Sequence, residues 1–482
     1  MTSRYATSPL APNEPSPVRD PGADARTLAE LQQLRGRPVL VKGAVVLSQD
    51  LAVGDYAAGD ILIRDGKITQ VGEDLARQAG DAVVIDAAGT IAVPGFVDAH
   101  VHAWEGQLRG AAPVLDFGGY LGFTAFGYGP RYRPHDNYVG TLVTALVALN
   151  AGTTTIIDNS HNSRSPDHSN AAVEALIDSG IRGVHASGAP VGTDVPGWPE
   201  DVTRLRDEYF ASEDQLVTLR LFDLYPSADL WELAHREGLW MSHEMGSHIE
   251  DVADVLAGLD AKGLLTSDHA FNHCNALPEE TWALIKGSGA AVNLAPRSDA
   301  AFGVGTGFPP IDQARAAGLE PGLSGDNEVS YALSMFTEMQ MLLSKHRGSV
   351  FGRITAGDQD PPAQLAPSDL LRYATVGGAA NAGLSGKVGS LTPGKQADIT
   401  LIRTADVNTA PATNAVATVT AFAHPGNVDT VLVAGQVRKW RGKLTGHDMS
   451  AVVAQAVASR DYLFAASGQR PDVLAGNGTS PL

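Results

Sequence analysis

From about Pro94 to Gly383 the chain alternates short apolar, β-branched runs with amphipathic stretches, and this alternation constrains the fold more than any other feature. Eight runs read as strands: FVDAHVH (96–102), TTTIID (153–158), IRGVHA (181–186), VTLRLFD (217–223), LWMSH (239–243), SDHAFNH (267–273), AAVNLAP (290–296) and PGLSGD (321–326). Helical stretches such as YVGTLVTALVALNAG, NAAVEALIDSG, SADLWELAHREG and PEETWALIKGSG lie between them, several ending in a capping glycine. Alternating units over this length predict a closed parallel (β/α)8 barrel, a TIM barrel, with an open doubly wound sheet as the alternative. No GxGxxG motif links a strand to a helix start, so dinucleotide binding has no support.

Both flanks of the barrel are β-rich. PVLVKGAVVL, GDILIRDGKITQVG and AVVIDAAG precede it, with Asp65-Gly66 as a hairpin signal; ADITLIR and VDTVLVAGQVRKW follow it. The expected division is a mobile N-terminal arm (1–35), a small composite β-sandwich from both chain ends (36–93 and 388–445), the barrel (94–387), and a C-terminal helix and tail (446–482). A formal net charge of −19 argues against nucleic acid or an anionic membrane as partner and leaves a small molecule. Cys274 is the one cysteine, which rules out an intrachain disulfide or a thiolate zinc cluster. The first residues lack an apolar signal region, and no run of about 18 apolar residues occurs, so a cytoplasmic protein is expected.

In such barrels chemistry gathers at the C-terminal ends of the strands. Strand one ends in His100-Val101-His102. Side chains two apart share a side of a strand, so one strand can offer two imidazoles to one ion. Strand five ends at His243, strand six at His273 and strand eight at Asp326. A lone His-x-His among 14 histidines means little, and a lone aspartate at a strand end is more often a helix cap. The ordered set of His100, His102, His243, His273 and Asp326 at the strand ends predicts a divalent-metal site.

The phrases GTIAVPGFVDAHVH, LRG (108–110), NAGTTTIIDN, FNHCNALPEE, ATVGGAANAGL and VGSLTPGKQADITLI together resemble the amidohydrolase superfamily. More narrowly they resemble its branch of cytosine deaminases, triazine hydrolases and S-adenosylhomocysteine deaminases, over roughly residues 38–445. The resemblance implies a barrel with a composite β-sandwich, a dimer, and one Zn2+ or Fe2+ ion. It implies that His100, His102, His243 and Asp326 hold the metal, that Asp326 also moves a proton, and that His273 beside them polarises the substrate or ligates weakly. A cation so held makes hydroxide available at neutral pH. No lysine ends strand four, so a carbamylated-lysine bridge between two metals is not expected.

The chain departs from that pattern in three places. The branch usually carries a glutamate three residues beyond the strand-five histidine; here that position is Gly246. Glu244 is expected to point the other way, and His248 is a catalytic candidate from the next turn or a plain helix-start histidine. After strand seven stands Arg297, which suits a substrate carboxylate or a structural acid such as Asp299. After strand eight comes Glu328, a substitute acid or an ordinary loop residue. Trp104, Gln107 and His161 are candidates for substrate contact, with packing as the rival for Trp104. His185 reads equally as a barrel-mouth or a core histidine, and Cys274 as core. The loop 118–134 reads as a lid or an oligomer contact. The expected activity is hydrolysis at a C–N centre of a small cyclic or aromatic nitrogen compound, deamination first. Amide, lactam or lactone hydrolysis, loss of another leaving group, and a catalytically silent metal-binding relative are the rivals.

Overall fold

The structure, a computed structural model, describes residues 20–481 except 35, 193, 194, 196, 213, 247, 472, 473 and 475–478. The eight barrel strands are Phe96–Val101, Thr153–Ser160, Arg182–Gly188, Val217–Asp223, Met241–Gly246, His269–Asn275, Ala291–Leu294 and Gly322–Leu323. Each pairs parallel with the next, in chain order. The ring closes between strands eight and one: Asp326 N donates to His100 O at 3.0 Å, and His102 N donates to Asp326 O at 2.7 Å. This is the expected (β/α)8 barrel.

Helices Pro166–Ser179, Ala228–Glu237 and Glu279–Ser288 stop at Gly180, Gly238 and Gly289, each with a positive φ. A left-handed residue ends a helix cheaply only when it lacks a Cβ. Val97, Ala99, Ile157, Val184, Ala186 and Phe222 pack inside the barrel, while Phe96, Val101 and Ile156 join the core beneath the helices.

The two β-rich flanks form one continuous nine-stranded mixed sheet rather than two stacked sheets. Thr90–Pro94 from the first flank runs antiparallel to Ile399–Arg403 from the second. Inward residues of both, among them Val41, Ile63, Ile399 and Leu432, share one core. A buried fork from Arg182 on barrel strand three to Asp398, at 2.9 and 3.0 Å, ties this sheet to the barrel. Gly95 lies at the same junction, where a Cβ would come within 2.1 Å of Thr154.

The ends are more ordered than their composition suggested. Residues 1–19 of the expected arm lie outside the described residues. Pro21–Gln32 is a helix, capped by Asp20 and anchored by Leu31 in the sheet core. The C-terminal helix is Met449–Ala466, and beyond it Gln469–Pro471 pairs antiparallel with Thr479–Pro481.

Candidate metal centre and active-site cleft

Three local breaks in strand alternation build the site. On strand one, Val97 and Ala99 face the barrel interior and Val101 faces the helices, so the parity changes between them. The pairing with strand two is irregular between Asp98 and Val101. His100 and His102 thereby both reach the C-terminal mouth. On strand six, His269 and Phe271 point outward, but His273 has φ +60° and Cys274 φ +57°. That left-handed step turns the His273 ring into the mouth and sends Cys274 into the outer core. Asp326, just past strand eight, has φ +67° and turns its carboxylate back toward strand one.

Strand five has no such break. Met241 and Met245 pack in the outer core, and His243, of the same parity, goes with them. Its Nδ1 lies 2.5 Å from Asp223 Oδ1 and its Nε2 2.8 Å from His269 Nδ1, with the Trp231 ring 4.7 Å away. Both ring nitrogens are engaged away from the mouth. The expected ligand His243 is therefore not part of the cluster. The strand continues to Gly246, so its inward residue is Glu244, the reverse of the orientation expected from sequence.

The donor atoms at the mouth form a chain of close contacts. His100 Nε2 lies 3.2 Å from His102 Nε2, 3.5 Å from Asp326 Oδ1 and 3.1 Å from Glu244 Oε1. His102 Nε2 is 3.3 Å from Asp326 Oδ1, and His273 Nε2 is 3.3 Å from Glu244 Oε2. These are two overlapping triads, His100–His102–Asp326 and His100–Glu244–His273. A cation with bonds of about 2.1 Å sets neighbouring donors about 3.0 to 3.4 Å apart, which is this spacing.

Outer hydrogen bonds fix the tautomers. His102 Nδ1 donates to the carbonyl of Asn159 at 3.1 Å, and His273 Nδ1 donates to Asp299 Oδ1 at 2.9 Å. Each leaves Nε2 facing the cluster. Ser298 Oγ and Asn327 Nδ2 donate to Asp326 Oδ2, leaving Oδ1 toward the imidazoles. The electrostatics also call for positive charge. Burial opposes charge on His273, yet hydrogen bonds to Asp299 and Glu244 outweigh it and hold the ring well above its usual range. Burial likewise opposes charge on Glu244, but His100 and His273 draw it well below the usual carboxylate range. His100, His102 and Asp326 fit a divalent cation: two imidazole nitrogens and a carboxylate oxygen, buried and converging.

Above the cluster opens a cavity of about 220 Å³, room for a small ring compound. Tyr120, Tyr225 and Phe302 contribute aromatic wall, and the floor is His102, Glu244, His273 and Asp326. The loop expected as a lid supplies Tyr120 and Leu121 from the helix Phe117–Phe123, so it forms part of the cleft wall. His161 and His248 both line the cleft. Burial and the neighbouring His102 push His161 well down; burial also lowers His248, whose Nε2 is 3.3 Å from the carbonyl of Leu224.

The other candidates lie elsewhere. Trp104 is buried behind His161, with ring centroids 5.5 Å apart. Gln107 donates to the carbonyl of Asp136 at 3.1 Å, on the helix Pro134–Asn150. Arg297 pairs with buried Glu338 at 2.5 Å and covers the Tyr331 ring, so its guanidinium is turned to these partners and does not line the cleft. Glu328 is held by Arg109 and Thr144 at 2.8 Å each. His185 is fully buried, 3.5 Å from Asp158. Sequence reasoning missed Glu244, Asp299 and Ser298. The first was legible in Met241-Ser242-His243-Glu244-Met245, where the two methionines mark the outer face.

A closed parallel barrel with imidazoles and carboxylates converging at its C-terminal mouth defines a metal-dependent hydrolase of the barrel type. Residues 91–438 match the family model described as the amidohydrolase family. The chain belongs to that family, hydrolases acting on carbon–nitrogen bonds other than peptide bonds. It is 28% identical over 440 residues to the 5-methylthioadenosine/S-adenosylhomocysteine deaminase of Pelotomaculum thermopropionicum, covering 87% of this chain and 97% of that one. It is 25% identical over 452 residues to the 5'-deoxyadenosine deaminase of Methanobrevibacter smithii, covering 89% and 99%. Among solved structures, an adenosine deaminase from Xanthomonas campestris with bound zinc superposes with a TM-score of 0.76 at 21% identity, over 88% of this chain and 98% of that one. The atrazine chlorohydrolase TrzN from Arthrobacter aurescens TC1, complexed with zinc, gives 0.74 at 22% identity, over 88% and 100%. No helix among the described residues is long and apolar enough to cross a membrane.

Proposed function

We propose that this chain is a divalent-metal-dependent hydrolase that deaminates a small cyclic or aromatic nitrogen compound. The observation that carries the reading is the convergence of His100, His102 and Asp326 within 3.2–3.5 Å on the floor of an aromatic cleft. These side chains would hold the cation, zinc first and iron second. When bound, the cation supplies a water acidified to a pKa of about 7 and neutralises charge on the attacked centre. Asp326, oriented by Ser298 and Asn327, takes the proton of the attacking water and passes it to the leaving nitrogen. His273, its Nδ1 on Asp299 and its Nε2 on Glu244, lines the cleft floor and would polarise a substrate that comes to share that Nε2 proton. His248 and His161 line the cleft; the first would serve the leaving group and the second would contact the substrate ring.

One observation favours a second reading. Gly246 stands where the branch carries an acid, which suits an amide, a lactone or a leaving group needing no ring-nitrogen protonation. A cytoplasmic homodimer is proposed with either reading. The single cysteine is a buried free thiol, and Val453 and Val457 leave an apolar strip exposed on the C-terminal helix.

The test is ammonia release from adenosine-type nucleosides, aminotriazines and other heterocyclic amines, with amides and lactones followed by proton release. Asp326→Asn is expected to keep the circular dichroism spectrum while lowering kcat about 10²- to 10⁴-fold. Full turnover by that variant, or by protein stripped of metal, would reject the reading.

A further inference from the structure

At the end of the barrel opposite the cleft, a cavity of about 370 Å³ opens between the starts of strands three to five and the chain that follows Asn381. Val184, Thr218 and Trp240 line it from the strands, and Gly383 and Lys387 from the later segment. We propose that this cavity binds a phosphate group, free or carried on a small organic molecule, with Arg220 as the buried cation that receives it.

Arg220 lies on strand four. Leu221 packs in the outer core, whereas Phe222, on the same side of the strand as Arg220, packs inside the barrel. The guanidinium therefore enters the barrel from below, while the Phe222 ring reaches the mouth, 6.4 Å from the His102 ring. The cavity and the catalytic cleft thus stand at opposite ends of one strand.

Arg220 is 1% exposed, and no carboxylate among the described residues comes within ion-pair distance of it. Nη1 donates to Ser242 Oγ at 3.1 Å and to the carbonyl of Asn381 at 2.9 Å, and Nε has no partner among the described residues. Burial draws the guanidinium down to about 9, and the charge of Asp268 offsets only part of this. A buried charge met only by neutral acceptors is unfavourable, and an anion in the cavity would relieve it. The surroundings suit one. Glu237, the acid on the cavity wall, is already paired with Arg206, and Lys387 adds a second positive charge. The guanidinium fork matches the oxygens of a phosphate. A bare phosphate fills only part of the volume, and Phe210 and Trp240 offer apolar wall to an organic body attached to it.

The experiment needs no substrate, so it stands apart from the hydrolase reading. The metal-loaded protein is titrated with inorganic phosphate and with phenyl phosphate at constant ionic strength. Binding is followed by calorimetry and by Trp240 fluorescence, taken as the difference between wild type and Trp240→Phe. One site saturating in the millimolar range or tighter is expected. Arg220→Met and Lys387→Met are each expected to weaken it at least about tenfold, the loss of one charge-assisted hydrogen bond. Near-ultraviolet circular dichroism checks the fold. Lys387 is only half-buried, so its replacement decides the matter if Arg220→Met does not fold. Tighter binding of phenyl phosphate would assign the site to a phosphate monoester, and equal affinity would assign it to the free ion. No saturable binding of either probe, or full binding by folded Lys387→Met, as an anion held at the mouth would show, would overturn the proposal.

Discussion

Replacing His243 by alanine separates a structural imidazole from a metal ligand. The substitution removes the 2.5 Å contact to Asp223 and the 2.8 Å contact to His269, and empties a space between Trp231 and Phe271. Asp223 keeps one partner, the Trp231 indole at 2.9 Å, but its buried carboxylate loses the imidazole facing its other oxygen. Breaking a buried pair by deleting one member costs about 3–5 kcal/mol. At about 2.1 cal/mol/K per residue, a chain of 482 residues shifts its melting midpoint by about 1 °C per kcal/mol. Calorimetry should therefore find His243→Ala melting about 3–5 °C lower, with and without metal. Elemental analysis should find the same metal content as wild type. Loss of metal at an unchanged melting temperature would refute the argument, because it would place the imidazole at the mouth and the strand register off by one.

Asp299→Asn, which weakens the grip on His273 Nδ1, should lower kcat about 10- to 100-fold while metal content holds; equal loss of metal would show that His273 is itself a ligand. Burial, with His243 adding to it, lowers His269 to about 2, so between about pH 6.5 and about 2 the unfolded chain binds a proton that the folded one refuses. Stability should then fall as pH drops below about 6.5, by up to about 1.4 kcal/mol per pH unit from this ring. His269→Asn should remove that share, and an unaltered acid slope would place the proton uptake elsewhere. Arg297→Ala leaves Glu338 buried without its partner and should destabilise by about 3–5 kcal/mol at unchanged KM; a raised KM with intact stability would return Arg297 to the substrate.

Much of the barrel was legible because β-branched runs separated by glycine-terminated helices have few other ways to bury their apolar faces. His100, His102 and Asp326 were legible for the same reason: a polar residue at a strand end in such a barrel stands at the mouth. Strand five shows the limit. Which of two adjacent polar residues faces inward depends on where the strand starts and stops, and the two methionines flanking His243 were the only local sign. His273 was placed correctly only because φ +60° overturns the alternation, which no pattern of residue types encodes. Arg297 and Gln107 were misplaced because their partners, Glu338 and the Asp136 carbonyl, come from distant helices. Pro21–Gln32 hid in a segment of disordered composition, since Leu31 gains its burial only from the sheet it docks on.

The seam where strand eight meets strand one has a bearing on how the molecule comes together. The two backbone bonds that shut the ring belong to His100, His102 and Asp326, the same residues whose side chains face the cluster. Cation capture and barrel locking thus share one stitch. Loading an ion should slow the opening of that seam more than it alters any other part of the chain, and hydrogen exchange at the amides of His102 and Asp326 is where that protection should be read.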